Sequence, residues 1–375
     1  MFQLLRFKGV YIFLLVALVV SVVTIAPKNF DESTANAALG NICSSTTLRT
    51  IPTDPKATGP WPVGSKAVTI SGLSAEVWYP ATPGSESGKA KDVFNMKDYL
   101  PELTGPVSEH NVPMNSYRDL PIDSAYGKYP VIIMVHGTAS FKYAHHVNCA
   151  HWASRGFVVV SADNPNIYIT DFLDNIAGML FADQDGDTKD IISALKSPSG
   201  QIAFLNNRID TNRIGLAGHS AGGGAVASLS GERGVLVIIP MAAGASVSSN
   251  LRIKSAMLMG GIEDNTASWS SVQSAYNSTR VRNKRLVGIP DAGHMVFTNI
   301  CEQVLKAEDY GVDLSLMESV ANDGCGDDYI DEQLGWEIVN YATTAVFEEI
   351  LQCNSTSASS IDSITSKYRG VVYRD

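Results

Sequence analysis

The strongest constraint on the fold is a serine flanked by glycines between a buried strand and a helix. Ser220 lies in the motif G-H-S-A-G at residues 218–222, after the apolar run Ile214–Ala217 and before the Gly/Ala-rich segment beginning at Gly223. A turn this sharp requires glycine on both sides, because a Cβ there would collide within the turn. The turn lifts the hydroxyl above the sheet edge and aims the helix N-terminus at charge developing there. Ser220 is therefore the candidate nucleophile.

Further apolar runs of strand length predict the sheet that carries this motif. The runs are Tyr129–Val135, Phe157–Val160, Ile214–Ala217, Val235–Ile239 and Ala256–Met259. Strands that are apolar on both faces are buried on both faces, which is typical of parallel sheets. Helix-length segments such as Asp187–Leu195 and Gly223–Leu229 separate the runs. This alternation predicts an α/β domain with a mostly parallel central sheet and helices on both faces.

The chain divides into three parts by composition. We expect a targeting segment at residues 1–37, one catalytic domain at 38–353 and a loose, Ser/Thr-rich tail at 354–375. Within the domain, the stretch from Ala81 to Gly127 has little periodicity and is predicted to be a long insertion or loop. A last helix is expected from about Glu337 to Leu351.

The N-terminus has the pattern of an export signal. Arg6 and Lys8 precede the uncharged stretch Gly9–Pro27, which contains a long apolar run. Residues 35–37, Ala-Asn-Ala, have the small-x-small form that signal peptidase reads, although they lie rather far past the apolar run. The alternative is an uncleaved anchor, since the run is just long enough to span a bilayer. Either outcome predicts a secreted or periplasmic domain, free or membrane-anchored.

Charge and cysteine content exclude several classes of protein. The chain has 375 residues and a formal net charge of −10 without a Lys/Arg cluster, which argues against nucleic acid as a partner. There are five cysteines, and an exported chain meets oxidising conditions, so some should pair and one should remain. No C-x-x-C spacing points to a zinc site.

Elimination assigns the base and leaves two candidates for the acid. In this strand–turn–helix class the chain order is serine, acid, histidine, and His294 is the one histidine after Ser220. It follows the apolar strand Leu286–Ile289. Glu263 and Asp264 directly follow the preceding strand, and Asp264 is preferred. Its role would be to hold the imidazole tautomer and stabilise the imidazolium.

Two backbone N–H groups are needed to stabilise an oxyanion. One is expected from Ala221, the residue after the nucleophile, and the other from the loop after Val135. That loop begins His136-Gly137-Thr138, and Thr138 is the chosen second donor. We interpret His136 as structural.

Two weaker patterns concern metals. His145, His146, Cys149 and His151 cluster on an expected helix, where a helix surface facing neighbouring loops is favoured over a metal site. The segment Asp183–Asp187 is similar to a calcium loop but lacks the EF-hand spacing and the closing Glu. A solvated acidic turn capping the next helix is the favoured interpretation. No metal or organic cofactor is expected.

At these residues the chain resembles exported α/β-hydrolases of the dienelactone-hydrolase-like and platelet-activating-factor acetylhydrolase-like type, with cutinase-like polyester hydrolases as relatives. The similarity runs from about Ala75 to Cys353. Its parts are Glu76–Pro80, His136-Gly137, Arg213–Gly223, Gly261-x-x-Asp264 and Gly293-His294. The resemblance implies the α/β-hydrolase fold and ester hydrolysis through an acyl-enzyme, and it supports Asp264 over Glu263.

The resemblance also sets expectations for disulfide pairing and substrate. It implies a disulfide between Cys301 and Cys325, with Cys301–Cys353 as the fallback. Polyester hydrolases of the group carry a Trp where this chain has residues 240–244, Pro-Met-Ala-Ala-Gly, and an aromatic residue where it has Thr138. Small or medium acyl esters are therefore expected over aromatic polyesters. The alternatives are a lipid or phospholipid acyl hydrolase, a polyester hydrolase, and a non-catalytic binding protein of the same fold.

Overall fold

The structure is a computed structural model that describes residues 48–307, 309–312 and 318–375. The expected targeting segment, residues 1–37, lies outside the described residues, as does Cys43. Within the described ranges, none of the helices combines the length and the apolar character that crossing a bilayer requires.

A large twisted sheet and a small hairpin form the centre of the fold. The strands are β1 (Val63–Ile70), β2 (Leu73–Pro80), β3 (Val93–Asn95), β4 (Asn111–Pro113), β5 (Tyr117–Arg118), β6 (Tyr129–Val135), β7 (Val158–Ala162), β8 (Ile209–His219), β9 (Val235–Met241), β10 (Ser255–Gly261), β11 (Lys284–Ile289) and β12 (Val372–Arg374). The main sheet has the order β12-β11-β10-β9-β8-β6-β7-β2-β1-β5. Strands β6 to β11 pair in parallel, whereas β1–β2, β2–β7 and β11–β12 pair antiparallel. The prediction of a mostly parallel sheet is confirmed.

Helices and short turns connect these strands. The helices are α1 (His146–Ser154), α2 (Ile169–Asp174), α3 (Gln184–Lys196), α4 (Ala221–Ser228), α5 (Trp269–Ser278), α6 (Cys301–Lys306), α7 (Glu318–Ala321), α8 (Glu332–Leu351), α9 (Ser355–Asp362) and α10 (Ile364–Lys367). The 3-10 turns are Met96–Asp98, Val107–His110, Ile176–Phe181, Gly200–Leu205, Leu229–Gly231 and His294–Phe297.

Alternate residues of each central strand enter two separate cores, one on each face of the sheet. On β6, Ile132 belongs to the core that contains Phe347 of α8, and Ile133 to the core that contains Ile191 of α3. All four side chains are 2% exposed or less. This two-sided burial explains why the central strands are continuous apolar runs instead of alternating ones.

The long segment between β2 and β6 is an ordered insertion anchored to the sheet. It contains the β3–β4 hairpin, and its Tyr99 packs against Phe141 with ring centroids 4.4 Å apart. Lys142 Nζ donates to Tyr99 Oη at 2.8 Å and to Asp163 Oδ2 at 2.6 Å. These contacts tie the insertion to the segments that follow β6 and β7.

The C-terminal segment is ordered, so the prediction of a loose tail at 354–375 is wrong. Residues of α9 and α10 bury Ile361 and Ile364 completely, and β12 extends the sheet by pairing with β11. The Ser/Thr-rich composition conceals two isoleucines, one in α9 and one in α10, that are buried in the core. The edge of the sheet at β11 supplies the backbone hydrogen-bond partner of β12.

Candidate active site

The glycine-flanked turn has the strained geometry that its sequence predicts. Ser220 stands between β8 and α4 with φ 53° and ψ −119°, a region that residues with a side chain rarely adopt. A Cβ on Gly218 would lie 2.2 Å from the carbonyl oxygen of Gly222, and one on Gly222 would lie 2.3 Å from that of Val135. Glycine is therefore required at both positions, and the half-buried Ser220 is held at the carboxyl edge of the sheet.

His294 and Asp264 form a buried pair on the loops that follow β11 and β10. His294 Nδ1 lies 2.9 Å from Asp264 Oδ2, and the two residues are 1% and 4% exposed. The second carboxylate oxygen, Asp264 Oδ1, accepts from the backbone N–H of Thr266 at 2.8 Å and of Ala267 at 2.6 Å. Glu263 is exposed. Of the two acids left open by the sequence, Asp264 is the one in contact with His294.

His219, the residue before the serine, connects the sharp turn to the histidine loop. Its Nε2 lies 3.1 Å from the carbonyl oxygen of His294, to which it donates, and the two ring centroids are 4.7 Å apart. Burial lowers the pKa of His219 well below its ordinary value, so the ring is neutral. Sequence reasoning gave this residue no role, although it lies within the motif.

The loop after β6 packs directly against the serine. A Cβ on Gly137 would lie 3.0 Å from Ser220 Cβ, so a residue with a side chain at position 137 would crowd the serine. Thr138 follows on this loop and is half-buried, and Ala221 is the first residue of α4. Both predicted oxyanion donors therefore belong to segments that border Ser220.

His136 holds this loop in place. Its Nδ1 donates to the carbonyl oxygen of Gly137 at 2.7 Å, and its Nε2 accepts from the N–H of Asn164 at 3.1 Å. Gln184 Nε2 donates to the His136 carbonyl oxygen at 2.8 Å. Burial lowers the pKa of His136. A neutral ring with both nitrogens engaged fits a structural role.

The cysteines agree with the expected pairing. Cys301 and Cys325 form a disulfide across a sequence separation of 24 residues, which confirms the preferred pair over Cys301–Cys353. Cys353 is also disulfide-bonded. Cys149 is a free, buried thiol, and burial raises its pKa.

The two weaker metal patterns have structural explanations. His145 Nδ1 donates to the carbonyl oxygen of Phe297 at 2.8 Å, and burial lowers the pKa of His145 to about 3 and that of His146 to about 4. Asp183 is the N-cap of α3 and accepts from the N–H of Gly186 at 3.1 Å. In the part of the chain that the structure describes, no three His, Cys, Asp or Glu side chains are grouped to hold a metal ion.

One buried carboxylate at the site escaped the sequence-based prediction. Asp323 is 3% exposed and accepts hydrogen bonds from the loops of both Asp264 and His294. Its partners are mostly backbone N–H groups, and these leave no pattern of side chains in a sequence. In the sequence, the one indication that this segment lies near the site is Cys325, two residues further on, which was expected to form a disulfide with Cys301.

Comparisons with known proteins identify the family. Residues 117–314, more than half of the chain, match the family model described as PETase: PET hydrolase-like, a range that contains Ser220, Asp264 and His294. Residues 52–167 match the model for platelet-activating factor acetylhydrolase, isoform II. A search of curated proteins finds no significant match.

A solved structure shares the fold. The ferulic acid esterase from Streptomyces cinnamoneus superposes with a TM-score of 0.63 at 17% sequence identity, over 84% of this chain and 97% of that chain. At this identity the likeness concerns the fold, which is that of the α/β-hydrolases.

Proposed function

The chain belongs to the PET hydrolase-like family of ester hydrolases, and from this premise we propose that it is a serine carboxylic-ester hydrolase acting on small or medium acyl esters. One observation carries the proposal. The buried His294–Asp264 pair, 2.9 Å apart, lies on the loops after β11 and β10, and the carbonyl oxygen of His294 accepts from His219, the residue before Ser220. This proximity supports Ser220, Asp264 and His294 as nucleophile, acid and base, in the chain order that this class of enzyme uses.

The proposed reaction has two halves. Ser220 Oγ attacks the ester carbonyl carbon while His294 Nε2 takes the hydroxyl proton, and the N–H groups of Ala221 and Thr138 stabilise the oxyanion. Collapse of this intermediate breaks the ester C–O bond, and the alcohol leaves with the proton from His294. Water then attacks the acyl-enzyme by the same route and releases the acid. Asp264 keeps the proton of His294 on Nδ1 and stabilises the imidazolium. No metal or organic cofactor enters any step.

The residues at the end of β9 and directly after it support aliphatic acyl groups. Met241, Ala242 and Ala243 are all 6% exposed or less, and Met241 accepts the backbone hydrogen bond of Ser220 at 2.9 Å. These side chains offer no ring on which an aromatic substrate could stack. An ester is preferred to a peptide because its alkoxide leaves more readily than an amine.

A substrate panel tests the proposal. We expect kcat/KM on p-nitrophenyl esters of two to eight carbons to exceed that on a peptide anilide or an aromatic diester by at least about 100-fold. A preference for the anilide would mean that the protein is a peptidase and not an esterase. Faster cleavage of the aromatic diester would favour a polyester hydrolase.

A specific observation favours lipid esters as the second candidate. The 3-10 turn Ile176–Phe181 exposes four apolar side chains, of which Leu180 and Phe181 are 68% and 78% exposed. Strands β6, β7 and β8 are parallel, so the segment after β7 starts at the same sheet edge as Ser220. A hydrogen bond from Ala139 N to the carbonyl oxygen of Ile167, at 2.8 Å, ties this segment to the loop after β6, which carries Thr138. An exposed apolar turn beside an ester-cleaving site suits an aggregated lipid surface.

Two variants separate these candidates. If lipid is the substrate, the double variant Leu180→Ser/Phe181→Ser loses activity on long-chain ester emulsions and keeps activity on soluble p-nitrophenyl butyrate. Leu251→Ser, at an apolar side chain that is 70% exposed elsewhere, is the matched control. Equal activity of the double variant and the control on emulsions would remove the lipid candidate.

We propose further that the domain is exported. The basic and apolar N-terminal residues and the Cys301–Cys325 disulfide both suit an oxidising compartment outside the cytosol. The intact mass of the protein isolated from its source decides the fate of residues 1–37. A mass without them means signal cleavage, a full-length mass in the membrane fraction means an anchor, and a cytosolic full-length protein would refute export.

A further inference from the structure

Two loops that are distant in the sequence carry the acid and the base of the proposed site. Asp264 follows β10 and His294 follows β11, so the 2.9 Å contact between them depends on how the loops are held. One backbone bond joins them directly, from Glu263 N to the carbonyl oxygen of Ala292 at 2.9 Å. Displacement of a catalytic group by about 1 Å can reduce the rate about 100-fold. Residues that fix this register therefore affect catalysis.

Asp323 bonds to both loops with one carboxylate. Its Oδ2 accepts from the N–H of Asn265 at 2.9 Å, the N–H of Thr266 at 2.9 Å and the hydroxyl of Thr266 at 2.8 Å. Its Oδ1 accepts from the N–H of His294 at 3.3 Å. These four donors come from the residues immediately after the acid and from the base itself. Charge-assisted hydrogen bonds of this kind are stronger than neutral ones.

The backbone around Asp323 reinforces the contact with the base. The N–H of Met295 donates to the carbonyl oxygen of Asp323 at 2.8 Å. A Cβ on Gly293 would lie 2.6 Å from Asp323 Oδ1 and 2.6 Å from the backbone nitrogen of Gly324. The histidine loop thus packs against residues 323–324 with room for glycine alone at position 293.

A covalent bond fixes the segment that carries Asp323. Cys325, two residues further on, forms the disulfide with Cys301, the first residue of α6 and seven residues after His294. Asp323 is itself 3% exposed. The carboxylate is therefore buried and held in a fixed position between the two loops.

We propose that Asp323 is a positioning residue for the acid–base pair, keeping Asp264 and His294 in register from a third segment of the chain. The inference rests on the proposed serine-hydrolase function. Asp323 touches neither substrate nor the reacting atoms, and it acts through the backbone of the two loops. Nothing in the comparisons assigns this position a role.

Asp323→Asn is the main test, because it has nearly the same shape and loses the charge and one acceptor. Active sites are counted by titration with a fluorophosphonate, and kcat and KM on p-nitrophenyl butyrate are expressed per titrated site. We expect kcat to fall about 10- to 100-fold with KM changed less than about twofold. Asp328→Asn, at an exposed carboxylate in the same segment, is the control and should match the wild type.

A purely structural role would give a different result. In that case the melting temperature would fall while kcat per titrated site stayed within about twofold of wild type, and the inference would be wrong. Should Asp323→Asn not fold, Thr266→Val decides, because it removes one donor to Asp323 at an exposed residue. A decrease in kcat of about threefold or more supports the inference, and an unchanged kcat overturns it.

Failure of the proposed function is distinguishable from failure of this inference. If Ser220 takes up the fluorophosphonate and Asp323→Asn behaves as its control does, the inference alone fails. If Ser220 remains unlabelled in wild-type protein, the serine-hydrolase mechanism fails with it.

Discussion

The imidazole of His294 and the carboxylate of Asp264 meet through a 2.9 Å contact between Nδ1 and Oδ2, and both side chains are almost completely buried. The other carboxylate oxygen of Asp264 is occupied by two backbone N–H groups. With one oxygen fixed by the backbone, the other presents a single, oriented acceptor to the ring. This relationship selects one tautomer of His294, with its proton on Nδ1 and its lone pair on Nε2.

Replacing Asp264 should therefore remove most of the activity while the other residues of the site stay in place. For Asp264→Asn we expect kcat to fall about 10³- to 10⁴-fold, because the amide favours the wrong tautomer and leaves the imidazolium without its counter-ion. Glu263→Gln is the matched control, since the neighbouring carboxylate is exposed, and it should change kcat less than about twofold. Steady-state kinetics on p-nitrophenyl butyrate measure both. If the two variants lost activity equally, the assignment of the acid would be wrong.

Much of this arrangement could be predicted because the relevant signals are local. The sharp turn at Ser220 depends on glycines two residues away on either side, and the buried strands are short apolar runs. Other features depend on contacts between distant segments. Asp323 binds backbone groups on two loops, and Ile361 and Ile364 are buried in the core that also contains Phe347 of α8. Composition around these residues gives no sign of either role.

Gly222 and Gly224 should differ sharply in their tolerance of alanine. A Cβ on Gly222 would lie 2.3 Å from the carbonyl oxygen of Val135. This oxygen belongs to the backbone and cannot move without shifting the loop after β6. We expect Gly222→Ala to lower the free energy of unfolding by about 1–3 kcal/mol and to reduce kcat as well.

Gly224 provides the control for this substitution. It lies in α4 with nothing within 4 Å of an added Cβ, so Gly224→Ala should be neutral or stabilising by up to about 1 kcal/mol. Urea denaturation of both variants gives the comparison. Similar stability of Gly222→Ala and Gly224→Ala would contradict the packing described for the sharp turn at Ser220.

The disulfide between Cys301 and Cys325 should contribute to both stability and turnover. It closes a loop with a sequence separation of 24 residues, for which chain entropy predicts about 3 kcal/mol of stabilisation. For the double variant Cys301→Ser/Cys325→Ser we expect a loss of this order in urea denaturation, together with a lower kcat, because Asp323 lies two residues from Cys325. Unchanged kcat per titrated site would show that the disulfide does not support the acid–base pair.

Buried histidines should make the protein less stable as the pH falls below about 6.5. Burial lowers the pKa of five histidines, which are His136, His145, His146, His151 and His219. A base with a lowered pKa in the folded state stabilises the fold above its unfolded pKa. That stabilisation is lost as the pH falls, because the unfolded chain binds the proton first. The pKa falls to about 3 for His145 and to about 4 for His146, so each of these two contributes about 1 kcal/mol to the difference between pH 7.5 and 5.5.

Glu76 acts in the opposite direction, because burial raises its pKa to about 7 and the folded protein takes up its proton first. The histidines outnumber Glu76, so the net effect is a lower free energy of unfolding at pH 5.5 than at pH 7.5, as measured by urea denaturation. His146→Asn should reduce this difference by about 1 kcal/mol. An identical pH dependence in the variant and the wild type would contradict the neutral, buried state of that ring.

The central claim is that Ser220 is the nucleophile, and covalent labelling tests it most directly. After reaction with a fluorophosphonate, peptide mapping of the wild-type protein should find one adduct, on Ser220. Ser220→Ala should bind none and should lose about 10³- to 10⁶-fold in kcat while remaining folded. Ser228→Ala, at an exposed serine on the same helix, should label and turn over as the wild type does. An adduct on another residue, or near-normal turnover by pure Ser220→Ala, would contradict the account.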